Sequence, residues 1–364
     1  MNNCKNKMKL KWHNRDAEFE RLVLAGDIGG TNTNLAFVGE KNGKFSIVVE
    51  AIFPSAEIDG LKEPIQELLS AARSERADLV TDKGCICAAG PVINNHCKLT
   101  NVVWDIDGNQ LSKELGMDIY VINDFLGISY GIPILDVNNP EQVLTFTHTD
   151  GSRPEPSKGM KAVVGPGTGL GVGFLIPLGD SYIPSPSEGG HLTFAPFDED
   201  SQAFRDYMAN KLKKVPDVEM LVSGTGIQNL YDWWKDTKGL PKSEQWAEIE
   251  NAKRTERPRL ISRLSDSDPV AAEMLRLFVK MLARYASDIS TLLLPFGGLY
   301  LAGGVAQKES RWLIGDNLFM KYFEMTCNEN TGALLMQMPV YLIKDYSISL
   351  YGAANACLII HAAV

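Results

Sequence analysis

No window of the 364-residue chain approaches the ~20 consecutive apolar residues that a bilayer crossing needs. Excess positive charge is missing too. The formal net charge is −9, so a dominant electrostatic grip on nucleic acid, which needs clustered Lys and Arg, is excluded. Cysteine is scarce: Cys4, Cys85, Cys87, Cys97, Cys327 and Cys357 fit no disulfide scaffold. Cys85 and Cys87 lack the second pair that a zinc set requires, and all six read as free thiols of a reducing cytoplasm. The Lys-bearing N-terminus has no apolar stretch behind it and predicts no secretory leader. Common nucleotide signatures are also absent. There is no G-x-G-x-x-G opening a helix, no G-x-x-x-x-G-K-[ST], and no H-R-D with D-F-G.

The composition that remains is ordinary for a globular protein, 45% hydrophobic and 22% charged, and the length suggests about two domains. The pattern is α/β. Leu22–Ala25 predicts a buried strand that ends in Gly26-Asp27-Ile28-Gly29-Gly30-Thr31-Asn32, and Leu35–Val38 a returning one. Ala162–Val164, Gly165–Gly169 and Gly171–Ile176 repeat that strand–turn–strand order, which suggests duplicated halves. Phe45–Phe53, Cys85–Ala89, Ile119–Ile122 and Leu299–Ala302 read as further strands. Asp268–Leu294 predicts a long helix, capped by Asp268 with Pro269 in its first turn. Its Met274, Phe278, Met281, Leu282, Tyr285 and Ile289 form one apolar stripe. The charged stretch from Asp236 to Arg259 reads as a surface excursion, and the N-terminal stretch of ~20 residues as a solvated, partly ordered tail.

Three glycine-rich turns follow apolar strands, at Gly26–Thr31, Gly165–Gly169 and Gly303–Gly304. Successive N–H groups in such turns make concave donors for phosphate oxygens. Asp27 within the first turn would repel phosphate unless a cation lies between them. It is a candidate for hydrated Mg²⁺, or else a turn residue bonding its own backbone. Asp124 follows a strand's carboxyl end and is a candidate general base, or else a helix N-cap. Glu188 and His191 share a glycine hinge that suits either a polar ligand or a structural turn. Glu219, taken alone, is a helix-surface carboxylate, and Asn101 a loop amide or ligand contact. Such a set of carboxylates, amide and imidazole suits a polyol, whose hydroxyls both donate and accept.

Taken in order, GDIGGTN from Gly26, LTN from Leu99, INDF from Ile122, GPGTGLGV from Gly165, EGGHLTFAP from Glu188, LVSGTGIQNLY from Leu221 and LAGGVAQK from Leu301 resemble the bacterial-type glucokinase family of the actin-like, sugar-kinase and Hsp70 superfamily. The resemblance implies two ribonuclease-H-like α/β domains with a cleft between them. The smaller would span 1–130, completed by 345–364, with 1–20 an extension; the larger would span 131–344. It implies ATP-dependent phosphorylation of glucose in the cytoplasm, with Mg²⁺, by a homodimer. Phosphates would be held by Gly26, Asp27, Ile28, Gly29, Gly30, Thr31, Asn32, Gly167, Thr168 and Gly169, and the nucleoside would lie by Gly303 and Gly304. Glucose hydroxyls would be held by Asn101, Asp124, Glu188, His191 and Glu219, with Asp124 as base and Asp27 toward the metal. Val102 stands where related members carry His, and the cysteine cluster of the zinc-binding ROK branch is missing, so no structural zinc is expected. A kinase for mannose or N-acetylmannosamine, a polyphosphate-dependent kinase and a non-catalytic sugar sensor are the rival expectations.

Overall fold

The computed structural model describes residues 8–99 and 102–363. The chain forms two compact units. One runs up to Asp136 and takes in the segment from Asp345; the other is Val137–Lys344.

The first unit begins with β1 (Lys9–Trp12), β2 (Arg21–Ile28), β3 (Asn32–Lys41) and β4 (Lys44–Pro54). Helix α1 (Lys62–Glu75) then leads to β5 (Lys83–Ala88). A small sheet of β6 (Val92–Ile93), β7 (His96–Cys97) and β8 (Ile106–Asp107) precedes α2 (Gly108–Leu115), β9 (Asp118–Asn123) and α3 (Asp124–Gly131). The main sheet has the order β1-β4-β3-β2-β5-β9. β2 is antiparallel to β3 and parallel to β5, and β5 is parallel to β9. Leu24, Leu35, Phe37 and Ile65 lie in the apolar layer on one side. Val23, Cys85, Cys87 and the C-terminal helix Ile348–Ala363, through Ala353 and Cys357, form the layer on the other.

From Lys9 onward the N-terminal extension is more ordered than a partly ordered tail suggests. β1 pairs along β4 from Lys9↔Ile52 to Trp12↔Val49. Leu10 and Trp12 pack on the core while Lys9 and Lys11 face solvent, an alternation that suits a charged edge strand.

The second unit repeats the plan. Its strands are β10 (Val143–Thr145), β11 (Lys161–Pro166), β12 (Leu170–Leu178) and β13 (Ser181–Ser187). Helices α4 (Glu199–Leu212), α5 (Gly224–Thr237), α6 (Glu244–Asn251), α7 (Arg257–Leu264) and α8 (Pro269–Leu293) precede β14 (Leu299–Leu301). The short α9 (Gly303–Lys308), α10 (Ser310–Ile314), α11 (Leu318–Phe323) and α12 (Glu329–Leu335) then lead to β15 (Val340–Ile343). The order β13-β12-β11-β14-β15 matches β4-β3-β2-β5-β9 strand for strand, including the change from antiparallel to parallel at the central strand. This is the duplication that the two strand–turn–strand units suggested, in the ribonuclease-H-like form that the resemblance implied. Among the described residues no helix is long and apolar enough to cross a membrane.

The expected surface excursion is largely helical. Most of its charges face solvent, but Trp246 and Ile249 of α6 are buried in the core of the second unit. Helix α8 explains part of this anchoring. Asp268 caps it by accepting from Val270 N and Ala271 N, both at 2.9 Å. The other oxygen of Asp268 accepts the indole N–H of Trp246 at 3.0 Å. One carboxylate thus starts the long helix and holds the excursion. Asp268→Ala is expected to lower stability by about 1–3 kcal/mol in urea unfolding, since it removes a cap and strands a buried indole donor. A change within experimental error would show that the cap carries no weight.

Candidate functional site

In the first unit, Gly26, Asp27 and Ile28 lie within β2 rather than in the turn that was expected to include them. Gly26 faces Ile86, whose Cδ1 would sit 2.6 Å from an added Cβ, so this glycine serves sheet packing. The turn proper is Gly29-Gly30-Thr31, closed by Gly29 N donating to Asn32 O at 2.9 Å. Ser55 braces it. The Ser55 hydroxyl donates to Gly29 O at 2.7 Å and its N–H to Thr31 O at 2.9 Å. Among the described residues, the N–H groups of Gly30 and Thr31 have no protein acceptor. They are free donors on a rigid loop, which is what an anion requires.

Asp27 on β2 and Asp124, just past β9, lie at the same carboxyl edge of the sheet, on either side of β5. The Asp27 carboxylate has no hydrogen bond among the described residues. Burial pushes its pKa up to about 7, and the negative charges of Asp124 and Glu50 act in the same direction. Asp124 opens α3, but the cap is Asn123, whose Oδ1 accepts from Phe125 N at 2.9 Å and Leu126 N at 3.3 Å. The N-cap alternative for Asp124 is therefore corrected. Burial raises the Asp124 pKa as well, opposed by the Phe125 N–H that it accepts at 2.9 Å.

In the second unit the equivalent turn is Gly167-Thr168-Gly169, closed by Gly167 N donating to Gly169 O at 2.8 Å. The N–H groups of Thr168 and Gly169 likewise have no acceptor among the described residues. The start of α5 lies against it. Gly224 N donates to Gly167 O at 2.8 Å, and Thr225 Oγ1 donates to Thr168 O at 3.0 Å. Gly303 and Gly304 open α9, beside the end of β11, where Ala302 N donates to Val164 O at 3.0 Å.

The hinge residues converge nearby. The Glu188 side chain is 94% exposed and its Oε2 lies 4.0 Å from His191 Nε2. His191 Nδ1 lies 2.9 Å from Asp217 Oδ2. That bond raises the His191 pKa, and the charges of Glu219 and Glu188 add to it. Glu219 is not on a helix surface. It sits in a turn, where its Oε2 accepts from Leu170 N at 2.9 Å beside Gly169. Gly190 allows this packing, since an added Cβ would fall 2.0 Å from Leu170 O.

The structure thus brings Asp27, Asp124 and one phosphate-type turn together in the first unit. In the second it brings together the other turn, Glu188, His191 and Glu219. Asn101 lies outside the described residues; its neighbour Val102 packs on the apolar core. Sequence reasoning missed Ser55, Thr225 and Asp217, because each acts on a residue at least 26 positions away.

Comparison with known proteins decides the family. The glucokinase family model matches residues 24–359. The chain belongs to the glucokinase family. It is 35% identical to a glucokinase of Nostoc punctiforme over 351 residues, covering 92% of this chain and 98% of that protein. The crystal structure of a glucokinase from an Antarctic psychrotroph is similar with a TM-score of 0.77 at 25% identity, covering 94% of this chain and 100% of that one. The glucokinase of Balamuthia mandrillaris, solved in complex with glucose, shares the fold at a TM-score of 0.73 and 20% identity, covering 93% of this chain and 94% of that one.

The strained ionisation of Asp27 gives a pH test. Its folded pKa lies above the unfolded value, so its ionisation opposes folding. Stability from this group is lost as pH rises from about 4 through about 7. Asp27→Asn removes that penalty. We expect the ligand-free variant to be more stable than wild type by about 1–3 kcal/mol at pH 8, allowing for partial solvent access, with the gap closing toward pH 4. Urea midpoints at both pH values check this; a pH-independent gap would contradict it.

Proposed function

We propose that this protein transfers the γ-phosphoryl group of ATP to the 6-hydroxyl of glucose, with Asp124 as general base. The reading is carried by a single observation: the family membership that spans nearly the whole chain. Two rigid glycine turns with free N–H groups support phosphate binding, and Glu188, His191 and Glu219 support polyol binding. In this reading Asp124 accepts the proton of the sugar hydroxyl as its oxygen attacks the γ-phosphorus. Its raised pKa makes it a stronger base than an ordinary carboxylate. The free N–H groups of Gly30, Thr31, Thr168 and Gly169 stabilise negative charge on the phosphates.

The Asp27 environment fits Mg²⁺. A hard carboxylate without a hydrogen bond among the described residues, whose ionisation burial and Asp124 oppose, is relieved by a cation. Among the described residues no cluster of three His, Cys, Asp or Glu side chains could hold a metal. Asp27 would therefore hold an ion that keeps waters and phosphate oxygens as its other ligands. Mg²⁺ supplies charge neutralisation on the phosphates. A cytoplasmic homodimer belongs to the same reading, supported by the family resemblance.

Coupled ADP release with Mg²⁺–ATP, offering glucose, mannose, fructose, N-acetylglucosamine and N-acetylmannosamine separately, is the direct test. Turnover with glucose is expected; turnover with another sugar alone would overturn the substrate, and sugar binding without ADP release would favour a sensor. Asp124→Ala is expected to lower kcat by about 10²–10⁴-fold while sugar binding is partly kept. Near-normal turnover would remove Asp124 from the role of base.

A further inference from the structure

His191 faces three carboxylates, Asp217, Glu219 and Glu188, and only Asp217 is within hydrogen-bond distance of its ring. An ionised carboxylate only accepts, so the Nδ1 of His191 must be the donor in their 2.9 Å contact. Both partners are held by main chain. Glu219 N donates to Gly190 O and Val218 N to Leu192 O, each at 2.9 Å. Thr193 pairs antiparallel with Asp217 itself. The second oxygen of Asp217 accepts from Met220 N at 3.1 Å, which fixes the carboxylate's orientation. Each oxygen of Asp217 therefore has one partner among the described residues. On the far side of the ring, Nε2 lies 4.0 Å from Glu188 Oε2. That is too long for a direct hydrogen bond, but one hydroxyl oxygen can sit within reach of both atoms.

We propose that Asp217 is a positioning residue for the sugar subsite, holding the Nδ1 proton of His191 so that Nε2 is the nitrogen offered to a sugar hydroxyl. This rests on the sugar-kinase reading above. A neutral ring so held accepts the hydroxyl proton at Nε2, and a protonated ring donates to the hydroxyl oxygen. The other neutral tautomer would present an N–H at Nε2 in place of the acceptor. Asp217 itself touches no substrate in this scheme and acts only through His191.

Two variants separate this role from a merely structural one. Asp217→Ala removes both hydrogen bonds. Asp217→Asn keeps the Met220 bond through its amide oxygen and then turns its NH₂ toward Nδ1, which inverts the tautomer without changing the shape. Nitrogen-15 NMR of labelled histidine reads the tautomer, with the His191 signal assigned by its loss in His191→Gln. In the neutral ring we expect Nδ1–H in the wild type and Nε2–H in Asp217→Asn. We expect the glucose KM to rise about tenfold in both variants, the value of one hydrogen bond to a charged group. The ATP KM and kcat should stay within about threefold, because Asp124 and the phosphate turns are untouched. Nε2–H in the wild type, or an unchanged glucose KM in Asp217→Asn, would overturn the proposal. A wild-type protein with no glucose turnover would instead overturn the sugar-kinase reading, because the tautomer is read without substrate.

Discussion

Each of the two main sheets turns on its central strand, which is antiparallel to one neighbour and parallel to the other. β2 lies between β3 and β5, and β11 between β12 and β14. An antiparallel partner can be joined by a tight turn, whereas a parallel one needs a long crossover. The tight turn therefore falls at the carboxyl end of the central strand, and the parallel strands end at the same edge. In the first unit that edge holds Gly29–Thr31, Asp27 and Asp124; in the second it holds Gly167–Gly169 and the start of α9. Backbone hydrogen bonding thus decides where chemistry can sit before any side chain is chosen. The two turns also close alike, by the N–H of their first glycine, and leave the following donors without an acceptor among the described residues.

The two units treat charge differently. In the first, Asp27 and Asp124 are like charges near one another, and burial opposes the ionisation of both. That arrangement costs stability and is relieved only by a proton or a cation. In the second, His191 lies among Asp217, Glu219 and Glu188, so opposite charge favours its protonated form. The first cluster is two buried carboxylates that repel one another, and the second pairs an imidazole with carboxylates that surround it.

Much of the fold was legible because local signals agreed with tertiary demand. The Asp268 cap with Pro269, the apolar stripe of the long helix, and the repeated strand–turn–strand units each appear where the residues place them. The misreadings have physical causes. Residues 236–259 look like a charged excursion because only one face of α6 is apolar, and Trp246 and Ile249 carry nearly all of it. Met8 to Trp12 alternates apolar and basic residues, a strand period hidden by the Lys count. Gly26 resembles a turn glycine, yet it answers to Ile86 on the neighbouring strand.

The fold class, the duplication, the family and the types of group available for chemistry are already written in the chain, since these depend on periodicity and short motifs within a few residues. Which of those groups meet depends on the packing of distant segments. The cap at α3 passes to Asn123 because the chain enters the helix with Asp124 already in its first turn. Glu219 turns inward because Leu170 N needs an acceptor beside Gly169. Asp217 reaches His191 because an antiparallel bridge through Thr193 sets the two segments side by side. Such pairings are fixed by strand register and by the need to satisfy buried backbone groups, and register is a property of two distant segments rather than of either one.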